Sequence, residues 1–223
     1  MAIKLEVEKS DLAFEAGFPK PEFALFRDSA ALLDSLYLRL EPHGLKLADI
    51  RLERVGSVGE QHLLVYLFNY SMTIRIRVER IEITCSELPQ DLVESFRAAI
   101  LDVLRAVKDY RPEVSFRAFA VAVGIHGKLE GKSARDYLGQ FVSGVPTGLG
   151  PSIGAGAIFY FGAEGERLFA TVTADVSAAV PNGLFVRVHS AWDAGRVAPE
   201  ALAGTVEAFV RHALESLGLQ LPG

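Results

Sequence analysis

Apolar and polar positions alternate along much of this chain, and the period of alternation changes in an ordered way. Ile3, Leu5 and Val7 interleave with Lys4, Glu6 and Glu8, which predicts a strand over Ile3–Phe14. Gly17-Phe18-Pro19-Lys20-Pro21 then breaks regular structure. From Asp28 to Glu41 the period lengthens to that of a helix. Leu32, Leu33, Leu36 and Leu40 form its apolar stripe, Asp28 or Ser29 can cap it, and Gly44 lies just past its end. Three strands are expected next. Ile50, Leu52 and Val55 mark the first, with Arg51 and Glu53 turned away. His62–Tyr70 is apolar at nearly every position, as in a strand covered on both faces. Over Thr73–Thr84, Ile74, Ile76 and Val78 face one way and Arg75, Arg77 and Glu79 the other. The phase slips at Arg80-Ile81, and a β-bulge is the simplest cause. A helix is expected from Pro89, with Leu92, Phe96, Ile100 and Leu104 at every fourth position.

The second half follows the same order. It predicts a strand over Val114–Ile125 and a short helix over Ser133–Val142. A Gly-rich stretch, Gly144–Gly156, leads into strands at Ala157–Phe161, Leu168–Val176 and Leu184–Trp192. A closing helix is expected over Pro199–Leu217. Two local matches support an internal repeat. Gly56-Ser57-Val58-Gly59-Glu60 corresponds to Gly162-Ala163-Glu164-Gly165-Glu166, both suited to a hairpin that needs positive φ. The helix positions Pro89, Leu92, Phe96, Ile100, Leu104 and Val107 correspond to Pro199, Leu202, Val206, Val210, Leu214 and Leu217.

The expected fold class is therefore α+β. Two tandem strand-helix-strand-strand-strand-helix halves, 1–110 and 111–223, would be fused into one globular unit with pseudo-twofold symmetry. An antiparallel sheet would carry the long helices on one face. In element order alone this resembles the duplicated saddle of the TATA-binding-protein fold, or a pair of helix-grip units. No motif accompanies the resemblance, and fold does not carry function.

Composition narrows the class. Half of the 223 residues are hydrophobic and 23% are charged, a globular rather than disordered profile. No uncharged apolar run reaches the length of a membrane span, so no membrane association is expected. Glu6, Glu8, Asp11 and Glu15 near the start do not suit a secretory or transit peptide, and a cytoplasmic location is expected. One cysteine excludes an internal disulfide framework. Residues 1–109 hold 14 Lys/Arg and 18 Asp/Glu, and residues 110–223 hold 9 and 10. Neither half has the basic stripe of a nucleic-acid binder, so nucleic acid is not an expected partner. Arginine outnumbers lysine, 16 to 7, which suits ordered ion pairs on sheet faces.

Candidate chemistry is sparse. Gly148-Leu149-Gly150-Pro151-Ser152-Ile153-Gly154 lacks a Walker lysine, loses a donor at Pro151 and leads into a strand, so it reads as a connector or a flap. The five histidines show no metal-ligand spacing, and neither a metal nor a cofactor is expected. His189 and Asp193 share a strand face about 13 Å apart, too far for a direct acid–base pair. Cys85 has no histidine near it in sequence, and Gly-x-Ser-x-Gly is absent. No catalytic residue is assigned, and an enzyme of unknown class is the third choice. Two features stand out as binding candidates. Arg51, Arg75 and Arg77 lie on polar strand faces, as a salt-bridge ladder or an anion- or partner-docking face. Phe159, Phe161, Phe185, Arg187 and His189 supply aromatics for an exposed patch or a cleft. The leading expectation is a non-catalytic, homo-oligomeric interaction or scaffold protein that uses a sheet face or edge. The alternative is a binding module for a small apolar or anionic ligand, held between sheet and helix with 144–156 as its lid.

Overall fold

The computed structural model describes residues 2–53, 60–88, 92–141 and 155–221. It is a mixed α+β structure with a large, mainly antiparallel sheet and, among the described residues, four α-helices. The chain divides into two compact units, each gathered from separate segments. One comprises Leu12–Val121 and Trp192–Ala203. The other comprises Met1–Asp11, Ala122–Ala191 and Gly204–Gly223.

In the Leu12–Val121 unit the hydrogen-bonded order is β2 (Ile50–Glu53), β3 (His62–Leu67), β4 (Met72–Arg77), β5 (Arg80–Cys85) and the end of β1 (Ile3–Gly17). One face of these strands is apolar and buried: Leu63, Val65, Leu67, Ile74, Ile76, Ile81 and Ile83. Helix α1 (Ser29–Leu40) buries Leu32, Leu36 and Leu40. Helix α2 (Val93–Tyr110) buries Phe96, Ala99, Val103, Leu104, Ala106 and Val107. Asp28 caps α1 by accepting from the Ala31 amide at 3.1 Å, as its sequence suggests. Gly44 ends that segment at φ +83°, where a side chain would be strained. Three polar contacts tie α1 and its exit to α2. Ser35 Oγ donates to the Ala106 carbonyl at 2.8 Å, Arg39 meets Asp109 at 2.7 Å, and His43 Nε2 lies 2.9 Å from Asp102.

Thr73–Thr84 is not one bulged strand. It is a hairpin, β4–β5, that reverses at Val78-Glu79. The register explains the slip in phase. Ile76 faces Ile81, Ile74 faces Ile83 and Met72 faces Cys85, so even residues on one arm share a face with odd residues on the other. A reversal and a bulge produce the same parity change along the sequence. The turn needs no glycine because neither Val78 nor Glu79 takes a positive φ, and its carbonyls accept from Phe18 N (to Glu79 O, 2.9 Å) and Glu22 N (to Val78 O, 2.6 Å). Among the described residues, four strands and not three therefore lie between α1 and α2. The β3–β4 turn falls where the expected strands His62–Tyr70 and Thr73–Thr84 separate, but it begins earlier, after Leu67. Phe68, Asn69 and Tyr70 all adopt positive φ without a glycine, and Phe68 is held against Phe96 at 4.6 Å between ring centroids. A phase slip does occur in β1, where Leu5 and Val7 point inward on odd numbers and Phe14 and Ala16 on even ones.

In the other unit the order is β1, β6 (Ala118–Leu129), β9 (Leu184–Asp193), β8 (Arg167–Val176) and β7 (Ala157–Phe161). A short β10 (Leu219–Gln220) pairs parallel with β1 through Ile3 and Lys4. Its core takes Leu5, Ile125, Ala170, Val172, Ala174, Val186 and Val188 from the strands. Helix α3 (Ala134–Leu138), capped by Ser133, adds Tyr137 and Leu138. Helix α4 (Pro199–Ser216) adds Val206, Val210, Ala213 and Leu214. The Tyr137 hydroxyl donates to the Leu217 carbonyl at 2.7 Å, and burial pushes its pKa up to about 12. Val55, Gly56–Gly59, Pro89 and the glycine stretch from Gly144 to Gly154 lie outside the described residues, so one of the two matched hairpins and the expected lid do too.

Candidate functional site

Three surfaces carry the residues singled out by the sequence. The first is the polar face of β2–β5. Alternation turns Arg51, His62, Arg75, Arg77, Arg80 and Glu82 outward there. Glu82 lies directly across from Arg75 and gathers three guanidiniums: Arg80 Nε at 2.6 Å, Arg77 Nε at 3.4 Å and Arg75 Nη1 at 3.6 Å. Arg80 also meets Glu15 at 3.5 Å and Glu79 at 3.6 Å. The hydrogen bond that Arg80 donates to Glu82 raises the Arg80 pKa, against the opposing effect of burial. Arg51 stands apart from this cluster, its guanidinium 5.6 Å from the Tyr66 ring centroid. His62 pairs with Glu53 at 3.1 Å. Three arginines facing three carboxylates make a self-compensated network, which presents little net charge to an anion.

The second surface is the outward face of β7–β9. Ile158 and Tyr160 project from β7, across from Thr173 and Thr171 of β8. Phe185, Arg187 and His189 project from β9 on alternate positions. The His126 ring stacks on Phe185 at 4.5 Å and 24°. Its Nδ1 lies 2.8 Å from Ser177 Oγ, and its Nε2 lies 3.8 Å from Asp11. His189 meets the Phe169 ring edge-on at 5.3 Å. Ile158, Tyr160 and Phe169 on this face all remain exposed, and β7 ends its strand order with β8 as its single neighbour among the described residues. An apolar face beside a bare strand edge can add a strand or bury itself against another surface.

The third site lies on the opposite side of β7. Phe159 and Phe161 sit back to back with Ile158 and Tyr160, so the five sequence-selected residues of this half do not form one patch. Phe159 meets Phe141 edge-on at 5.7 Å. With Phe161, Val172, Phe209 and Leu217 they line a cavity of about 270 Å³ between the β7–β8 hairpin and α4. Glu164, Arg167, His212 and Ser216 stand at this cavity as its polar groups. The Arg167 side chain is only 11% exposed. Its Nη2 donates to Glu164 at 2.9 Å and to the Gly162 carbonyl at 3.4 Å, and its guanidinium lies 4.7 Å from the Phe209 centroid. Its Nε is buried with no hydrogen-bond partner among the described residues.

Sequence reasoning passed over Arg167 because it opens a strand after a turn, where an arginine normally faces water. The available signal was its position directly before the apolar run of β8. Among the described residues no group of three histidine, cysteine or carboxylate side chains could hold a metal ion. No helix there is long and apolar enough to cross a membrane. No protein-family model matches the chain, and comparison with curated proteins finds no match.

Proposed function

We propose that this is a non-catalytic interaction or scaffold protein of the cytoplasm, and that its partner is a second copy of itself. The surface would be the outward face of β7–β9 with the adjoining β7 edge. One observation carries the reading: Ile158 and Tyr160, on that terminal strand, are 54% and 76% exposed. Large apolar side chains grouped this way cost solubility unless something covers them. Homo-oligomers use one such patch twice, around a twofold axis. The halves 1–110 and 111–223 would be copies of one ancestral unit. The strand orders β1-β5-β4-β3-β2 and β6-β9-β8-β7 support that reading, since in each half the first strand pairs with the last and the rest run back in sequence.

Light scattering on fractionated protein tests the proposal. At micromolar concentration the wild type should have at least twice the mass of one chain, and Tyr160→Lys should return it to monomer. Tyr70→Lys, also at an exposed tyrosine but in the other unit, should leave the mass unchanged. A strictly monomeric wild type would sink the proposal. A second reading, a small-molecule binding module, is favoured by the cavity at Phe159 and Phe161.

A further inference from the structure

We infer that the cavity beside α4 takes a small aromatic monocarboxylate, with its ring among the phenylalanines and its carboxylate on Arg167. This rests on the second reading above and specifies its ligand. Size is the first argument. A volume of about 270 Å³ lies just below the usual range for organic ligands and equals roughly nine waters. A ring with a short acidic arm fits that space, and a long lipid chain does not.

The walls supply the second argument. Phe141, Phe159, Phe161 and Phe209 offer ring faces and edges, the surroundings in which an aromatic ring packs at 4.5–7 Å between centroids. Charge is the third. Arg167 lines this cavity with a nearly buried side chain, which fixes a positive charge at its wall. A carboxylate is the planar acceptor that matches a guanidinium fork. The carboxylate now on Arg167 is Glu164, which is 80% exposed and three residues away in sequence. The Glu164 end of this pair is solvated, so its carboxylate can turn to water when a ligand carboxylate arrives. In this account Glu164 is a competitor for the site, and it keeps Arg167 paired when the cavity is empty.

Titration calorimetry with phenylacetate tests this, with phenylacetamide as the uncharged match of equal shape. Phenylacetate should bind at least tenfold more tightly than the amide. Arg167→Leu should abolish that difference, leaving acid and amide to bind equally weakly. Glu164→Gln, a surface change, should tighten phenylacetate binding several-fold and serves if Arg167→Leu does not fold. Equal binding of acid and amide would overturn the carboxylate assignment and leave the cavity reading standing. No binding of either up to about 10 mM would overturn both. Weaker phenylacetate binding in Glu164→Gln would contradict the competitor role and, with it, the placement of the carboxylate.

Discussion

Replacing Gly127 with alanine tests how closely β1 and β6 approach. A Cβ there would fall well inside contact distance of the Glu6 carbonyl oxygen, 3.0 Å from the Glu6 carbonyl carbon and 2.9 Å from Leu5 Cδ1. Leu5 is fully buried and Glu6 presents backbone, so neither can move aside cheaply. The strands would have to part locally, which strains nearby ladder bonds such as Glu130 N to Lys4 O at 3.0 Å. Overpacking of a closed site costs about 1–3 kcal/mol, and a weakened backbone bond adds about 1 kcal/mol. The reduced freedom of the unfolded chain returns about 0.4–1 kcal/mol. The expected net loss is about 1–3.5 kcal/mol, or roughly 2–14 °C in Tm for a chain of this length. Gly124→Ala is the internal control. Its Cβ would also overlap a neighbour, but that neighbour is the Asp11 carboxylate, a side chain 40% exposed and free to rotate. That variant should lose less than about 1 kcal/mol. Urea unfolding of both proteins, at unchanged m-value, gives the comparison. Equal stability of the two variants would refute the close backbone approach at Gly127.

Two further effects follow from a buried tyrosine and a half-buried ion cluster. Tyr137 is more acidic in the unfolded chain, near 10, than in the folded protein, about 12. Its contribution is therefore intact below pH 10 and is lost as pH rises toward 12, by about 1.4 kcal/mol per unit. Tyr137→Phe should cost about 1–2 kcal/mol at pH 7 through its lost bond to Leu217, and the gap to wild type should narrow between pH 10 and 11; a constant gap across that range would contradict this. Glu82→Gln would leave Arg75, Arg77 and Arg80 facing one another with one carboxylate fewer. Discounted for partial exposure, the loss should be about 1–2 kcal/mol at low salt and should shrink in about 1 M salt; a loss insensitive to salt would mean the network is not electrostatic.

Much of the fold was legible because burial imposes strict periods. The α1 cap at Asp28, the stripe of α2 and the strands β7–β9 follow directly from apolar spacing. What escaped were features that periodicity cannot separate. A tight hairpin with odd register and a bulged strand give the same parity change, so β4 and β5 read as one element. The left-handed run at Phe68–Tyr70 carries no glycine and is held by tertiary contacts such as Phe68 on Phe96. The candidate site was half legible. Alternation separates Phe159 from Tyr160, but it does not say which of them faces α4. Arg167 was missed because its burial comes from Phe209, 42 residues away in the chain.

Self-association through β7 and its neighbouring face is the claim with the most consequences, and amide hydrogen exchange at two protein concentrations reaches it directly. If a second copy covers this strand, exchange in Ala157–Phe161 should slow markedly from dilute to concentrated protein, while β3 and β4 exchange at the same rate in both. Identical exchange of Ala157–Phe161 at every concentration would contradict the account.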